Sequence, residues 1–161
     1  MVKEMSIDRS FELYKWLQRT SNLAFKVRGK ELGRYGISAM HAAVLDTIQE
    51  IGHKATPAEI ARHMVREPHT ISNLVVRMEK QGLVRKVNDL GRKNLVRVVL
   101  TPKGKEAYAK ISKRVSTRKL MSDMSEEEFR QMMQFMQKIQ AKAYESLGKN
   151  NPFKKLPTTR H

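Results

Sequence analysis

Between Pro68 and Lys80 the chain reads Pro-His-Thr-Ile-Ser-Asn-Leu-Val-Val-Arg-Met-Glu-Lys. If this segment is a helix that buries Ile71, Leu74, Val75 and Met78, the helical period leaves His69, Thr70, Asn73, Val76 and Arg77 on the opposite arc. Asparagine can pair bidentately with adenine and arginine with guanine, and His and Thr reach base edges or phosphates. A merely solvated face so close to a helix start favours Glu and Asp, and the acid Glu79 falls outside this arc. A second cluster lies in the loop Asp89-Leu90-Gly91-Arg92-Lys93-Asn94, with Arg92 and Lys93 at its tip and Arg85, Lys86 and Arg97 on the flanking runs. A cationic two-stranded projection can reach a minor groove or neighbouring phosphates. The same charges also guard an edge hairpin against aggregation, and both readings stand.

The whole chain carries the same bias. Its 161 residues hold 32 Lys and Arg against 16 Asp and Glu, a formal charge of +16. A field of that sign attracts polyanions by releasing their counterions. From Thr56 to Gly104 alone there are ten Lys and Arg against four acids. Hydrophobic residues make up 40% and charged residues 30%, the balance of one globular domain with a sizeable core.

Other chemistries find little support. There is no Gly-rich phosphate loop, nucleophile elbow, paired catalytic carboxylate set or metal cluster, so no enzyme and no cofactor are expected. Cysteine is absent, which excludes disulfides, thiolate zinc sites and cysteine redox sensing and fits a reducing cytoplasm. Glu59 and His63 stand four apart, but two ligands without a third read as a surface pair rather than a metal site. Trp16 and His41 are candidates for lining a small-ligand cleft beside the first two helices; a core tryptophan and a histidine at a helix start explain them equally well. The N-terminus has no signal-like apolar run, and no stretch nears the roughly 18 apolar residues of a membrane span, so a cytoplasmic protein without membrane contact is expected.

The elements that must position these residues can be read from period and punctuation. A first helix from about Ser6 to Val27 is apolar on two ridges, one through Ile7, Phe11 and Tyr14 and one through Leu13, Trp16 and Leu23. A helix contacted from two sides has this character. Gly29, Gly33 and Gly36 are expected to break it. Ser38 caps a second helix that Gly52 ends, and Thr56-Pro57-Ala58-Glu59 is a capping box opening a third. Pro68 opens the fourth, and Gly82 stops it. Leu83 to Asn88 and Leu95 to Leu100 are β-rich runs forming a hairpin. Thr101-Pro102 starts a helix with Ala107, Tyr108, Ile111 and Val115 on one face. Ser125 and Glu128 form a capping box for a last helix striped by Phe129, Met132, Met133, Met136, Ile139, Ala143 and Leu147. The fold class is mainly α with a small β-hairpin wing: a winged helix-turn-helix plus a helical dimerisation region.

Four stretches carry a resemblance: Thr56-Pro57-Ala58-Glu59-Ile60-Ala61, Thr70-Ile71-Ser72-Asn73-Leu74, Met78 to Arg85 with Gly82-Leu83-Val84 inside it, and Leu100-Thr101-Pro102-Lys103-Gly104. The chain resembles the MarR family. The resemblance implies a homodimer whose residues 1–37 and 101–161 form the dimerisation region and whose residues 38–100 form the winged DNA-binding domain. It implies binding of double-stranded DNA at an inverted repeat, often as a repressor, with release by a small aromatic or phenolic ligand. In this chain His69, Thr70, Asn73 and Arg77 would read the major groove, and Arg92 and Lys93 the minor groove or its phosphates. Family wings hold the groove arginine through an Asp-x-Arg pair, whereas Asp89-Leu90-Gly91-Arg92 has one extra residue in that spacing. The alternatives are an architectural protein that coats DNA with little sequence preference, and a regulator without a ligand.

Overall fold

The computed structural model describes residues 6–88, 91 and 95–153, which divide into two compact units at the Leu120–Met121 boundary. The first unit contains α1 (Ile7–Gly33), α2 (Ala39–Ile51), a 3-10 turn (Gly52–Lys54), α3 (Pro57–Met64), α4 (Pro68–Lys80), β1 (Val84–Val87), β2 (Arg97–Leu100), α5 (Pro102–Ile111) and α6 (Val115–Leu120). The second contains α7 (Glu126–Ser146).

The helix starts lie where the side chains able to cap them lie. Ser38, Thr56, Thr101 and Ser125 each accept the backbone N–H three residues on, at 3.0–3.2 Å. Each such bond satisfies a donor the helix cannot, worth about 1 kcal/mol. Both arms of the capping box form at Ser125, whose backbone N–H donates to Glu128. At Thr56 only one arm forms, because its N–H donates to the Lys54 carbonyl and Glu59 pairs with Arg62.

The core of the first unit is continuous, from Leu32 and Ile37 through Val44, Leu45 and Ile48 to Ile60, Ile71, Val75, Met78, Val98 and Ile111. Burying each large side chain contributes about 1.5–3 kcal/mol. The strands pair antiparallel, with Val84 opposite Leu100 and Val87 opposite Arg97. Thr101 and Gly104 lock α5 onto them. The Thr101 backbone N–H donates to the Leu83 carbonyl at 3.1 Å, and its hydroxyl donates to the Gly82 carbonyl. A Cβ on Gly104 would stand 1.9 Å from that same Leu83 oxygen, so only glycine permits the approach.

Two expectations need correction. First, α1 does not end near Val27; it passes through Gly29 to Gly33, because Leu32 is wholly buried in the core and Glu31 is 9% exposed. Tertiary burial overrides the helix cost of glycine. Second, Val115 does not share a helix face with Ala107 and Ile111. The α5 helix stops at Ile111, Arg114 takes a left-handed conformation (φ 49°), and the exposed Val115 begins α6. The methionine stripe of α7 stays in solvent: Met78 of α4 is buried, but Met132, Met133 and Met136 lie exposed with Phe129 and Ile139. Phe11, Tyr14, Leu23 and Phe25 of α1 are also exposed.

The α1–α6 junction is held by one carboxylate. Glu31 accepts the backbone N–H groups of Val115 and Ser116, both at 3.1 Å, together with the Ser116 hydroxyl. Arg28 donates to Glu31 at 2.7 Å and, through its other terminal nitrogen, to the Ile111 carbonyl at 2.7 Å. Burial pushes the Glu31 carboxyl up, but the Ser116 hydroxyl, the Arg28 guanidinium and the Ser116 N–H together bring it down to about 2.

Gly104→Ala should lower stability by at least the roughly 1–3 kcal/mol of an overpacked core. An unchanged melting temperature would mean that α5 and the hairpin separate freely. Glu31 has a lowered folded-state pKa, so its contribution is full above about pH 4.5 and fades as pH falls toward 2. Glu31→Gln should therefore be less stable than the parent at pH 7, by about 3 kcal/mol at most. The gap should close on acidification; an equal gap at pH 7 and pH 3 would remove the carboxylate charge from the explanation.

Candidate nucleic-acid interface

The α4 helix begins at Pro68, whose missing N–H is no loss in the first turn, and its start has no side-chain cap. Its inner stripe is the expected one: Ile71, Val75 and Met78 are fully buried and Leu74 nearly so. His69, Thr70, Asn73 and Arg77 are accordingly exposed on the outer arc, with the His69 ring and the Thr70 hydroxyl 3.4 Å apart. Val76 is exposed as expected, and the same side also carries Ser72 and Lys80. Sequence reasoning omitted Lys80 although the signal was the one that found Asn73.

The turn that sets α4 against α3 runs through Val65, which closes α3 in the left-handed region (φ 51°, ψ 49°). Its N–H and that of Arg66 return to the Arg62 and Ala61 carbonyls. A branched side chain in this conformation costs about 1–2 kcal/mol, which the packing of the two helices offsets.

The hairpin is pinned beside α4 by a residue outside that outer arc. Glu79 accepts the Lys86 backbone N–H at 3.0 Å and lies 3.5 Å from the Lys86 ammonium. Lys86 pairs with Val98 across the hairpin, and the Val98 N–H on the opposite edge donates to the Ala55 carbonyl at 2.7 Å. The strands are thus fixed at one register position to the end of α4 and to the residue that precedes the Thr56 cap. No sequence signal marked Glu79, since its role depends on the hairpin register.

Around this surface Arg66, Arg77, Lys80 and Arg85 are exposed and have no carboxylate partner among the described residues. Arg92 and Lys93, and Asp89 with them, lie outside the described residues. His41 sits half-buried in the first turn of α2, where its N–H donates to Ser38. Burial, and then the positive charge of Arg77, hold its imidazole below the usual value and favour the neutral ring. Trp16 is 59% exposed on α1. A cleft of about 420 Å³ opens between the α1–α2 connection and α5, lined by Tyr35, Ile37, Leu83, Lys103 and Lys110, with neither Trp16 nor His41 in its wall. Among the described residues no group of three His, Asp or Glu could hold a metal, and no helix is long and apolar enough to cross a membrane.

Residues 35–93 match the model of the MarR family. No curated protein matches the sequence significantly. Among solved structures, the organohalide-sensing transcriptional regulator RdhR-CbdbA1625 in its 2,4-dichlorophenol-bound form is 25% identical, with a TM-score of 0.75 over 97% of this chain and 98% of its own. CouR from Rhodococcus jostii RHA1, bound to p-coumaroyl-CoA, is 20% identical over 83% of this chain and 95% of its own, at a TM-score of 0.73. A cysteine-to-serine mutant of MarR from E. coli, complexed with operator DNA, is 16% identical over 84% and 99%, at 0.74. The last two likenesses are of fold. Its winged-helix segment is thus similar to the MarR family model, over a little more than a third of the chain, and its fold across nearly its whole length is that of solved winged-helix transcription regulators.

Proposed function

We propose that the protein is a homodimeric, sequence-specific repressor that acts in the cytoplasm on an inverted-repeat operator. The observation that carries this reading is the outer arc of α4, which the core does not use, with base-reading side chains on it and a hairpin pinned alongside. Asn73 and Arg77 read bases, His69 and Thr70 assist, and Arg92 and Lys93 contact the minor groove or its phosphates. Residues 38–100 form the DNA-binding domain, and residues 1–37 and 101–161 the dimerisation region. The exposed apolar side chains of α1, and separately those of α7, support dimerisation, since a second copy would cover them. The MarR structure complexed with operator DNA lends support through its common fold.

A small aromatic ligand releases the DNA. The dichlorophenol and p-coumaroyl-CoA held by two structural neighbours support this class, with Trp16 and His41 as candidate ligand contacts.

Selection of sheared genomic DNA by the purified protein at near-physiological salt should enrich a few fragments that share an inverted repeat. A bound pool identical to the input would favour the architectural alternative. On the enriched site Asn73→Ala or Arg77→Ala should cost about 1–3 kcal/mol and less on scrambled DNA, whereas Lys93→Ala should weaken both alike. Equal losses on both DNAs for Asn73→Ala would remove it from base reading. A chlorinated phenol should raise the melting temperature, quench the single tryptophan, Trp16, and weaken operator binding. No change in any of the three would favour a regulator without a ligand of this class.

A further inference from the structure

The outer arc of α4 is not uniformly polar. Val76 is 38% exposed there, three residues after Asn73, four before Lys80 and next to Arg77. At about 100° per residue, Val76 falls roughly 30° from the point opposite the buried stripe, nearer to it than Thr70 or Arg77. It adds nothing to the core, which Ile71, Leu74, Val75 and Met78 already fill. On a solvated helix face valine has little to recommend it: the branched side chain loses rotamer freedom and leaves apolar surface in water.

The major groove offers one apolar feature, the C5-methyl group of thymine. We propose that Val76 is a specificity-determining residue that packs against a thymine methyl in each half-site. This rests on the reading of α4 as the groove helix and adds an apolar contact to its hydrogen-bonding ones. Three residues of helix rise about 4.5 Å. Base pairs stack about 3.4 Å apart, so the thymine lies one or two base pairs from the base read by Asn73. The contact tells thymine from cytosine by a methyl group, a distinction that Asn73 and Arg77 do not make.

The test uses the full chain and its selected site, with each thymine replaced in turn by deoxyuridine. That exchange removes the methyl group and leaves every hydrogen-bonding group in place. One position per half-site should weaken binding about three- to fivefold, the size expected for one buried methyl group. Val76→Ala should bind the thymine and deoxyuridine versions of that position equally, and Asn73→Ala should still distinguish them. Alanine is the better helix former, so folding is retained, and circular dichroism checks it. If the protein selects a site but no deoxyuridine exchange weakens it, or if Val76→Ala keeps the same sensitivity, the thymine contact is overturned and the groove reading survives. If no site is selected at all, the groove reading itself falls.

Discussion

A buried carboxylate must be satisfied on every side, and the Glu31 carboxylate meets that demand by organising three helix ends. Its oxygens take the first N–H groups of α6, and its counter-ion Arg28 takes the last carbonyl of α5. A charge removed from water repays its desolvation only when its geometry is complete, so the positions of α1, α5 and α6 within this unit are interdependent. The left-handed Arg114 lies in the three-residue link between α5 and α6. Its guanidinium donates to Asp46 of α2 at 3.1 Å, which ties the link to the core a second time. The ends of α1, α5 and α6 are therefore joined to one another by polar contacts of defined direction, and Arg114 carries one such contact on to α2.

Within the first unit the outer arc of α4 is made by subtraction. Core packing takes one stripe of α4 and leaves the other, and two contacts then fix the hairpin beside it: Glu79 on one edge and the Ala55 carbonyl on the other. Neither contact touches the outer arc. The side chains that face outward are thus free to vary without disturbing what positions them, which is how one scaffold can serve many recognition surfaces.

Most of this was legible in the chain itself, because the deciding interactions are local. A cap and the N–H it accepts lie three residues apart, so Ser38, Thr56, Thr101 and Ser125 declared the helix starts. Pro68 and Gly82 bracketed α4, and the helical period then identified His69, Thr70, Asn73 and Arg77 as outward. What escaped were the features whose partners are distant. The extension of α1 past Gly29, the existence of α6 and the role of Glu31 rest on contacts with residues 111–116, and Glu79 acquires its partner only when β1 and β2 adopt their register. The exposed faces of α1 and α7 read as stripes in the sequence without saying what would cover them.

The contacts at the foot of α1 also close a ring. Arg28 meets Ile111 across 83 residues and Glu31 meets Ser116 across 85, so the chain between them is a loop closed at its foot. Closure entropy grows only with the logarithm of loop length, and even a doubling costs about 0.6 kcal/mol. Ten residues inserted between β1 and β2 would change it by about 0.1 kcal/mol. The length of the wing tip and the integrity of the joint are consequently independent, and the tip can be longer or shorter with almost no effect on how the ring is fastened.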